Sequence, residues 1–437
     1  MVVNRDKAPS AQETFVQMAQ AAGLRGRLLV TVGLLILVRL GIYLPIPGID
    51  RVAFQSALQG SGLGSLVSFL DVLAGGGISA LGIFALGILP YINASIIIQL
   101  MTAAVPQLED LQKNEGEAGR RKISQITRFV ALGWAILNSI MITTLLVNLK
   151  ALSPEFTSIA ETVIALTAGS MFVMWISEVI TERGIGNGAS LLIFVSIVST
   201  LPKSLGQTLE LAQSGDSSIV GRVIILLVVF LVMIVSIVFV QEGTRRIPII
   251  SARRQVGKRT YQEKSSYLPL RLNQGGVMPI IFASAMLSLP FALGQAFSNN
   301  QAIATVISYI QPGTWLYPLL QMVLIVFFSY FYSSLIVNPV DMSQNLKKMG
   351  ASIPGIRPGK ATSEYIGRVL NRLTFLGAGF LGLVAILPTA VEGATQVRTF
   401  QGLGATSILI LVGVAIDTAK QIQTYVISQR YEGMVKQ

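Results

Sequence analysis

The stretch Gly87-Ile88-Leu89-Pro90-Tyr91-Ile92-Asn93-Ala94-Ser95-Ile96-Ile97-Ile98 has a near-copy further along the chain. It is Gly276-Val277-Met278-Pro279-Ile280-Ile281-Phe282-Ala283-Ser284-Ala285-Met286-Leu287. Aligned without gaps, Gly, Pro, Ile, Ala and Ser recur in register. Both stretches are apolar and open a longer apolar run, so each reads as the start of a membrane helix. Small residues and proline are common in such helices, so the match alone also fits chance. As a duplication, it predicts two equivalent helices, each with Pro near its start, where a lost backbone bond loosens the helix.

Counting spans gives the copies their directions. A bilayer core takes about 20 mostly apolar residues per helix. Ten segments qualify or nearly so: Leu28–Leu44, Ile78–Val105, Phe129–Leu149, Ser158–Val179, Gly186–Leu201, Ile219–Val240, Gly276–Phe297, Trp315–Val337, Leu373–Pro388 and Leu403–Tyr425. The fifth and ninth are short and contain Gly or Pro. The two copies belong to spans two and seven, five spans apart and therefore antiparallel. That is the pattern of an inverted five-helix duplication, which places a functional pathway at the interface of its halves. The expected fold is an all-α polytopic membrane protein with a cytoplasmic segment 1–26, halves at 27–203 and 204–427, and a tail at 428–437. Residues 1–26 are polar and lack the apolar core of a signal peptide.

The composition agrees. The chain has 437 residues, of which 52% are hydrophobic and only 12% charged, with no Cys and no His. Soluble domains carry roughly 25% charged residues. The two zeros exclude disulfides, thiolate nucleophiles, Cys/His zinc sites and imidazole bases. No paired carboxylates or Ser/Lys arrangement at membrane depth suggests a hydrolase, so no enzyme activity and no cofactor are expected.

The net charge is +12, and ten spans sort it: 27 of the 33 basic residues fall on the side that holds both termini. The positive-inside rule makes that side cytoplasmic. Two of its loops, 241–273 and 338–371, are long for connections in a bundle. They carry Arg245, Arg246, Arg253, Arg254, Lys258 and Arg259 in one and Lys347, Lys348 and Arg357 in the other. They read either as topology signals or as docking surfaces for an acidic cytoplasmic partner.

Transporters usually keep ionisable groups at membrane depth. Here Arg39 is the clear intrahelical charge and reads as structural, snorkelling or paired. Asp71 and Glu178 fall at segment ends. Ser61–Ala80 has an apolar part, 63–74, too short to span, and Asp71 interrupts it. Gly75-Gly76-Gly77 then offers a flexible joint to span two. The segment reads as an outer-surface helix or as a movable stopper over a passage. Gly184-Ile185-Gly186-Asn187-Gly188 follows no strand, so it reads as close helix packing and not as a phosphate loop.

Several collinear stretches resemble the SecY family of central subunits of bacterial-type protein translocation channels. They are Tyr43–Asp50, Ala85–Ile92, Glu115–Gln125, Met174-Trp175, Thr181–Gly188, Phe331-Tyr332, Asn338-Pro339, Asn345–Lys348 and Pro354–Gly359. The resemblance implies two five-helix halves forming a clamshell around an hourglass pore. It implies a sealing ring of Ile88, Ile92, Ala189, Ile193, Ile281 and Ile410, with Ala189 smaller than the usual aliphatic. Branched apolar side chains make a collar that water enters poorly. It implies a plug at 61–77, including Leu63, Leu66, Phe69, Leu70 and Asp71. It implies a lateral gate between spans two and seven, with Pro90, Asn93, Gln99, Pro279 and Ser284. Gln99 is its polar residue, poised for a contact across the gate.

The implied partners are the small membrane subunits SecE and SecG, the motor ATPase SecA, the ribosome through its RNA, secretory preproteins, nascent membrane proteins and the bilayer. The implied location is a bacterial plasma membrane or a thylakoid membrane. From the residues alone, an inverted-repeat secondary transporter is the alternative.

Overall fold

The computed structural model describes residues 22–51, 53–54, 56, 71, 74–113, 116–213, 217–251, 255–256, 259–260, 265–296, 309–310, 314–395 and 405–435. Among them are ten long helices: α1 Ala22–Tyr43, α2 Leu89–Ala104, α3 Gly116–Asn148, α4 Phe156–Arg183, α5 Gly188–Gln213, α6 Ser217–Glu242, α7 Met278–Ala296, α8 Leu316–Ile336, α9 Lys360–Thr395 and α10 Ala405–Val435. Each takes up one expected span. Among the described residues, six helices are long and apolar enough to cross a membrane by length and composition, or up to seven if the bent pair Leu89–Ala104 and Pro106–Gln112 counts as one.

Three expectations change. The fifth and ninth spans look short in the sequence because hydropathy falls at their ends, yet α5 and α9 run on through Pro202 and Pro388. Span two is not one helix. A single turn, Gly77–Ala80, ends at Leu81 with φ 48°, and α2 begins only at Leu89. Pro90 and Pro279 do not loosen their helices. Each is the second residue of its helix, where the N–H has no intrahelical acceptor to lose.

The chain divides into two compact units. One is Met1–Gln207 with Gln401–Leu403 and Val414–Gln437; the other is Thr208–Phe400 with Gly404–Gly413. Inside the first, α1 packs on α4, α2 on α3 and α3 on α4. Inside the second, α6 packs on α9, α7 on α8 and α8 on α9. Shifting each number by five turns the first set into the second, as a five-helix duplication requires.

Local details repeat as well. Gly87 and Gly276, aligned in the sequence, have φ 53° and 58°, and a single residue separates each from the helix that follows. A hydroxyl pair joins the third and fourth helix of each set. Ser139 meets Thr167 at 3.0 Å, and Ser333 meets Thr374 at 2.9 Å. A hydroxyl in an apolar bundle has few other partners, and such pairs contribute about 0.6–2 kcal/mol.

A small sheet stands apart from the bundle pattern. β1 Thr244–Ser251 pairs antiparallel with β4 Ser265–Arg271, and at its end with β5 Ala351–Ser352, in the order β4-β1-β5. β2 Gln255–Val256 and β3 Arg259–Thr260 form a separate ribbon. The alternation along β1 puts Ile247 and Ile249 inward and Arg246, Pro248 and Ile250 outward. Ile247, Ile249 and Leu270 close a core with Leu346, Ile353, Ile366, Leu370 and Leu373. The two basic loops therefore fold onto each other and onto α9. They are more than the connections expected from the sequence, and β1 and β4 do carry the period-two signal of strands.

Candidate pore, gate and docking elements

The six ring positions divide between the units. Ile88 immediately precedes α2, Ile92 lies on its first turn, and Ala189 and Ile193 lie on the first two turns of α5. Ile281 is on the first turn of α7 and Ile410 on the N-terminal part of α10. Ile88, Ile92, Ile193 and Ile410 are buried; Ala189 and Ile281 are partly exposed. Most of these candidate positions thus lie at helix starts, where α2, α5 and α7 have backbone N–H groups free of intrahelical acceptors.

The glycines around Gly184–Gly188 hold α5 in place. Gly186 has φ 87°. A Cβ on Gly188 would lie 2.0 Å from the Ser177 carbonyl oxygen of α4. The Gly188 N–H donates to Thr181 Oγ1 at 2.9 Å, and Asn187 Oδ1 accepts from Ser190 N–H at 3.2 Å, capping α5. The close-packing reading of this motif is the one the geometry supports.

Of the expected plug residues, Leu63, Leu66, Phe69 and Leu70 lie outside the described residues. Asp71 is described and is tightly held. Its Oδ1 accepts from the Ser79 N–H at 2.8 Å, and its Oδ2 accepts the Ser79 hydroxyl at 2.6 Å. Its carbonyl accepts from the Gly76 N–H at 2.8 Å. Arg39 on α1 donates to the Gly75 carbonyl and, at 2.8 Å, to the Tyr43 hydroxyl. A Cβ on Gly75 would lie 2.8 Å from Ser196 Oγ on α5. Phe54, Ala74, Ile78, Leu81, Leu146 and Leu152 form an apolar cluster beside this turn.

The three glycines are thus a packed, hydrogen-bonded turn and not a loose joint. Gly75 and Gly76 supply φ 70° and 85°, which side chains disfavour. Arg39, a generic structural charge by its sequence, has this turn as its partner. Only the three-dimensional approach of α1 could show that.

On α2, Pro90 is buried and Asn93 half-buried. Gln99 makes its contact inside its own helix, donating to Ser95 Oγ at 3.3 Å. On α7, Pro279 is buried, and the Ser284 hydroxyl donates to the Ile280 carbonyl at 2.8 Å. The Ser284 hydroxyl is thus satisfied within its own helix, and one of the two Gln99 amide donors is satisfied within α2.

The docking candidates that are described gather around the small sheet. Arg245 and Arg246 are exposed on β1, and Arg246 lies over the Tyr267 ring at 4.9 Å. Lys347 and Lys348 end the short helix Pro339–Lys348, which Asn338 caps at 3.0 Å. Arg357 is exposed on the turn before α9, and its carbonyl accepts the Thr362 hydroxyl at 2.9 Å. Arg259 belongs to β3; Arg253, Arg254 and Lys258 lie outside the described residues. Tyr267 is a residue the sequence does not single out, since nothing there marks it as the partner of an arginine.

Comparison with known proteins gives this arrangement its family. The family model described as SecY matches residues 82–419. Protein translocase subunit SecY of Synechococcus elongatus is 72% identical over 440 residues, covering 100% of both chains. The subunit of Porphyra purpurea is 56% identical, covering 96% of this chain and 100% of its own, and that of Escherichia coli K12 is 43% identical over 86% of each. Among solved structures, one described as the structure of a protein conducting channel aligns with TM-score 0.64 at 16% identity, over 92% of each chain. Sec61 in the canine ribosome-channel complex aligns with TM-score 0.61 at 15% identity, also over 92% of each. These structures agree in fold, and the identities place the sequence among channel subunits, which leaves the secondary-transporter alternative unsupported. The chain is a multi-pass integral membrane protein and belongs to the SecY family of protein translocase subunits.

Proposed function

We propose that the chain is the conducting subunit through which unfolded secretory polypeptides cross the membrane. Apolar signal and membrane segments leave sideways into lipid through a gate made of α2 and α7. The observation that carries this reading is the full-length identity of 72% to a translocase subunit. The matched turns at Gly87 and Gly276, each followed by a helix with Pro in its second position, support α2 and α7 as equivalent gate walls.

In this reading Ile88, Ile92, Ala189, Ile193, Ile281 and Ile410 form the collar around the passing chain. Aliphatic side chains exclude water and ions and offer no hydrogen bond to trap cargo. The halves are 27–203 and 204–427. Residues 61–77 stop the pore, and the turn at Asp71 sets where that stopper joins α2. Both termini face the cytoplasm, in a plasma or thylakoid membrane. SecE and SecG complete the complex, and the chain itself does no chemistry. SecA or the ribosome supplies the drive, docking on Arg245, Arg246, Arg253, Arg254, Lys258, Arg259, Lys347, Lys348 and Arg357. Contacts to ribosomal RNA would weaken with salt.

The test uses the absence of native cysteine. A single Cys replaces Ile92 or Ile281, and a stalled secretory chain is crosslinked to it. Adducts at both, and none at the exposed positions Phe129 and Phe239, are expected. Adducts at the exposed controls alone would overturn the pore assignment.

A further inference from the structure

The chain passes from the small sheet to α7 in six residues: β4 ends at Arg271 and α7 begins at Met278. Burial alternates along this link. Asn273, Gly275 and Val277 are buried, while Leu272, Gln274 and Gly276 are partly exposed. Each buried position meets a different helix. A Cβ on Gly377 of α9 would lie 2.7 Å from the Leu272 carbonyl oxygen and 3.5 Å from Asn273 Cα. A Cβ on Gly275 would lie 3.5 Å from the Tyr332 ring of α8, and one on Gly413 of α10 would overlap Val277 Cγ1. At the sheet end, the Leu272 N–H donates to the carbonyl of Gly243, the residue before β1, at 2.8 Å.

Asn273 is a buried polar side chain, 6% exposed. A buried amide is costly unless it is hydrogen-bonded. Its Nδ2 donates to the Gly276 carbonyl at 2.8 Å. That carbonyl lies just outside the helix, because the first i→i−4 bond of α7 runs from the Ile281 N–H to the Val277 carbonyl, at 3.3 Å. The amide therefore closes a turn over Gly276, whose φ is 58°. Six unrestrained residues could reach up to about 20 Å. Clamped by three helices and closed by Asn273, they leave no such play. Ile281, a candidate collar position, is the fourth residue of the helix that this turn starts.

We propose that Asn273 is a positioning residue for α7: its hydrogen bond to Gly276 holds the start of the gate helix, and with it Ile281, at a fixed distance from the docking sheet. A motor seated on Arg245, Arg246 and Arg357 then displaces the sheet and the start of α7 together, where a slack link would absorb the displacement. The inference rests on the docking and gate reading above. If that reading fails, Arg357→Glu leaves export unaltered and the collar crosslinks do not form. If this inference alone fails, those results stand and only the Asn273 variants behave as the unaltered chain.

The native chain has no Cys, so two introduced ones can carry spin labels: Ser266→Cys on β4 and Met286→Cys on α7, both exposed. The full chain, with its small partner subunits, is placed in nanodiscs, and the label distance is measured by double electron–electron resonance. Export is measured in vesicles over a range of SecA concentrations. The unaltered link should give one narrow distance. Asn273→Leu, close in volume but without the donor, should broaden it. The same variant should lower the maximal export rate by about fivefold, the factor that one lost hydrogen bond represents, with the SecA concentration for half-maximal rate unchanged. Ser333→Ala, which removes the hydroxyl pair with Thr374 and leaves the link alone, should change neither the distance nor the rate per folded channel. A narrow distance in Asn273→Leu, or an unaltered maximal rate, overturns the positioning role. A shift in the half-maximal concentration alone overturns it too, since the substitution would then act on docking itself. Should Asn273→Leu not accumulate, Asn273→Ser, whose hydroxyl ends one bond short, is judged by the same two readouts.

Discussion

Asp71 engages both donors of Ser79, the backbone N–H at 2.8 Å and the hydroxyl at 2.6 Å. They are eight positions apart in the chain, and the glycines at 75–77 lie between. With Arg39 on the Gly75 carbonyl and Ser196 packed where a Gly75 side chain would be, the turn is held from three directions. Asp71 is therefore tied to the start of span two by its hydrogen bonds to Gly76 and Ser79.

That connection sets the first prediction. A hydrogen bond to a charged group contributes about 1.5–3 kcal/mol when well buried. Asp71 is partly exposed, so the low end applies. Asp71→Ala and Ser79→Ala should each raise the resting ion conductance of the channel in planar bilayers. Asp71→Asn, which keeps one acceptor oxygen, should raise it less. Resting conductance unchanged in both alanine variants would separate the turn from the seal.

Two glycines of similar appearance in the sequence should behave oppositely. Gly188→Ala drives a Cβ to 2.0 Å from a backbone oxygen of α4, which only separation of α4 and α5 can relieve. Overpacking of this kind costs about 1–3 kcal/mol. At Gly133 in α3, an added methyl would meet no atom within 4 Å. Gly133→Ala should be neutral or stabilising by up to about 1 kcal/mol from helix propensity. Thermal unfolding midpoints in detergent should fall for the first and hold or rise for the second. A fall at Gly133 equal to that at Gly188 would contradict the packing account.

The difference between these glycines marks how far the sequence was legible. The ten spans could be read because hydrocarbon demands length and apolarity from each segment separately. The ends of α5 and α9 could not, since Pro202 and Pro388 look like breakers while the helix continues through them. The sheet at Thr244–Arg271 was hidden behind its charge: eight basic residues in one loop drew the reading toward docking, although Ile247, Ile249, Leu268 and Leu270 alternate as strand residues do. Arg39 and Gly75 are 36 positions apart, and no spacing rule links a helical arginine to a carbonyl at that distance. Gln99 illustrates the reverse: a polar residue near a gate helix suggests a cross-gate contact, yet Ser95 one turn back is the acceptor it finds.

Arg357 offers a test of the docking surface with little structural risk. Its side chain is exposed, and it is the backbone carbonyl that accepts from Thr362. Reversing the charge should therefore leave the sheet core of Ile247, Leu346 and Ile366 intact. Arg357→Glu should slow SecA-driven export severalfold in inverted vesicles while protein level and unfolding midpoint stay unchanged. Export at the unaltered rate would remove Arg357 from the docking surface.

The internal repeat can be tested by energy as well as by shape. Gly87 and Gly276 occupy the same left-handed conformation, φ 53° and 58°, ahead of equivalent helices. Neither is crowded: the nearest atom to a Cβ at Gly87 is 3.8 Å away, and none lies within 4 Å at Gly276. The cost of alanine at either is then almost purely conformational, about 1–2 kcal/mol. Gly82 is the contrast, because its Cβ would sit 1.8 Å from the Ile42 carbonyl oxygen. Gly87→Ala and Gly276→Ala should lower the unfolding midpoint by similar small amounts, and Gly82→Ala by clearly more. If the two repeat glycines differed as much from each other as from Gly82, their turns would not be equivalent. The aligned Gly–Pro pairs would then be a coincidence of membrane-helix composition, and the case for α2 and α7 as matched gate walls would rest on helix packing order alone.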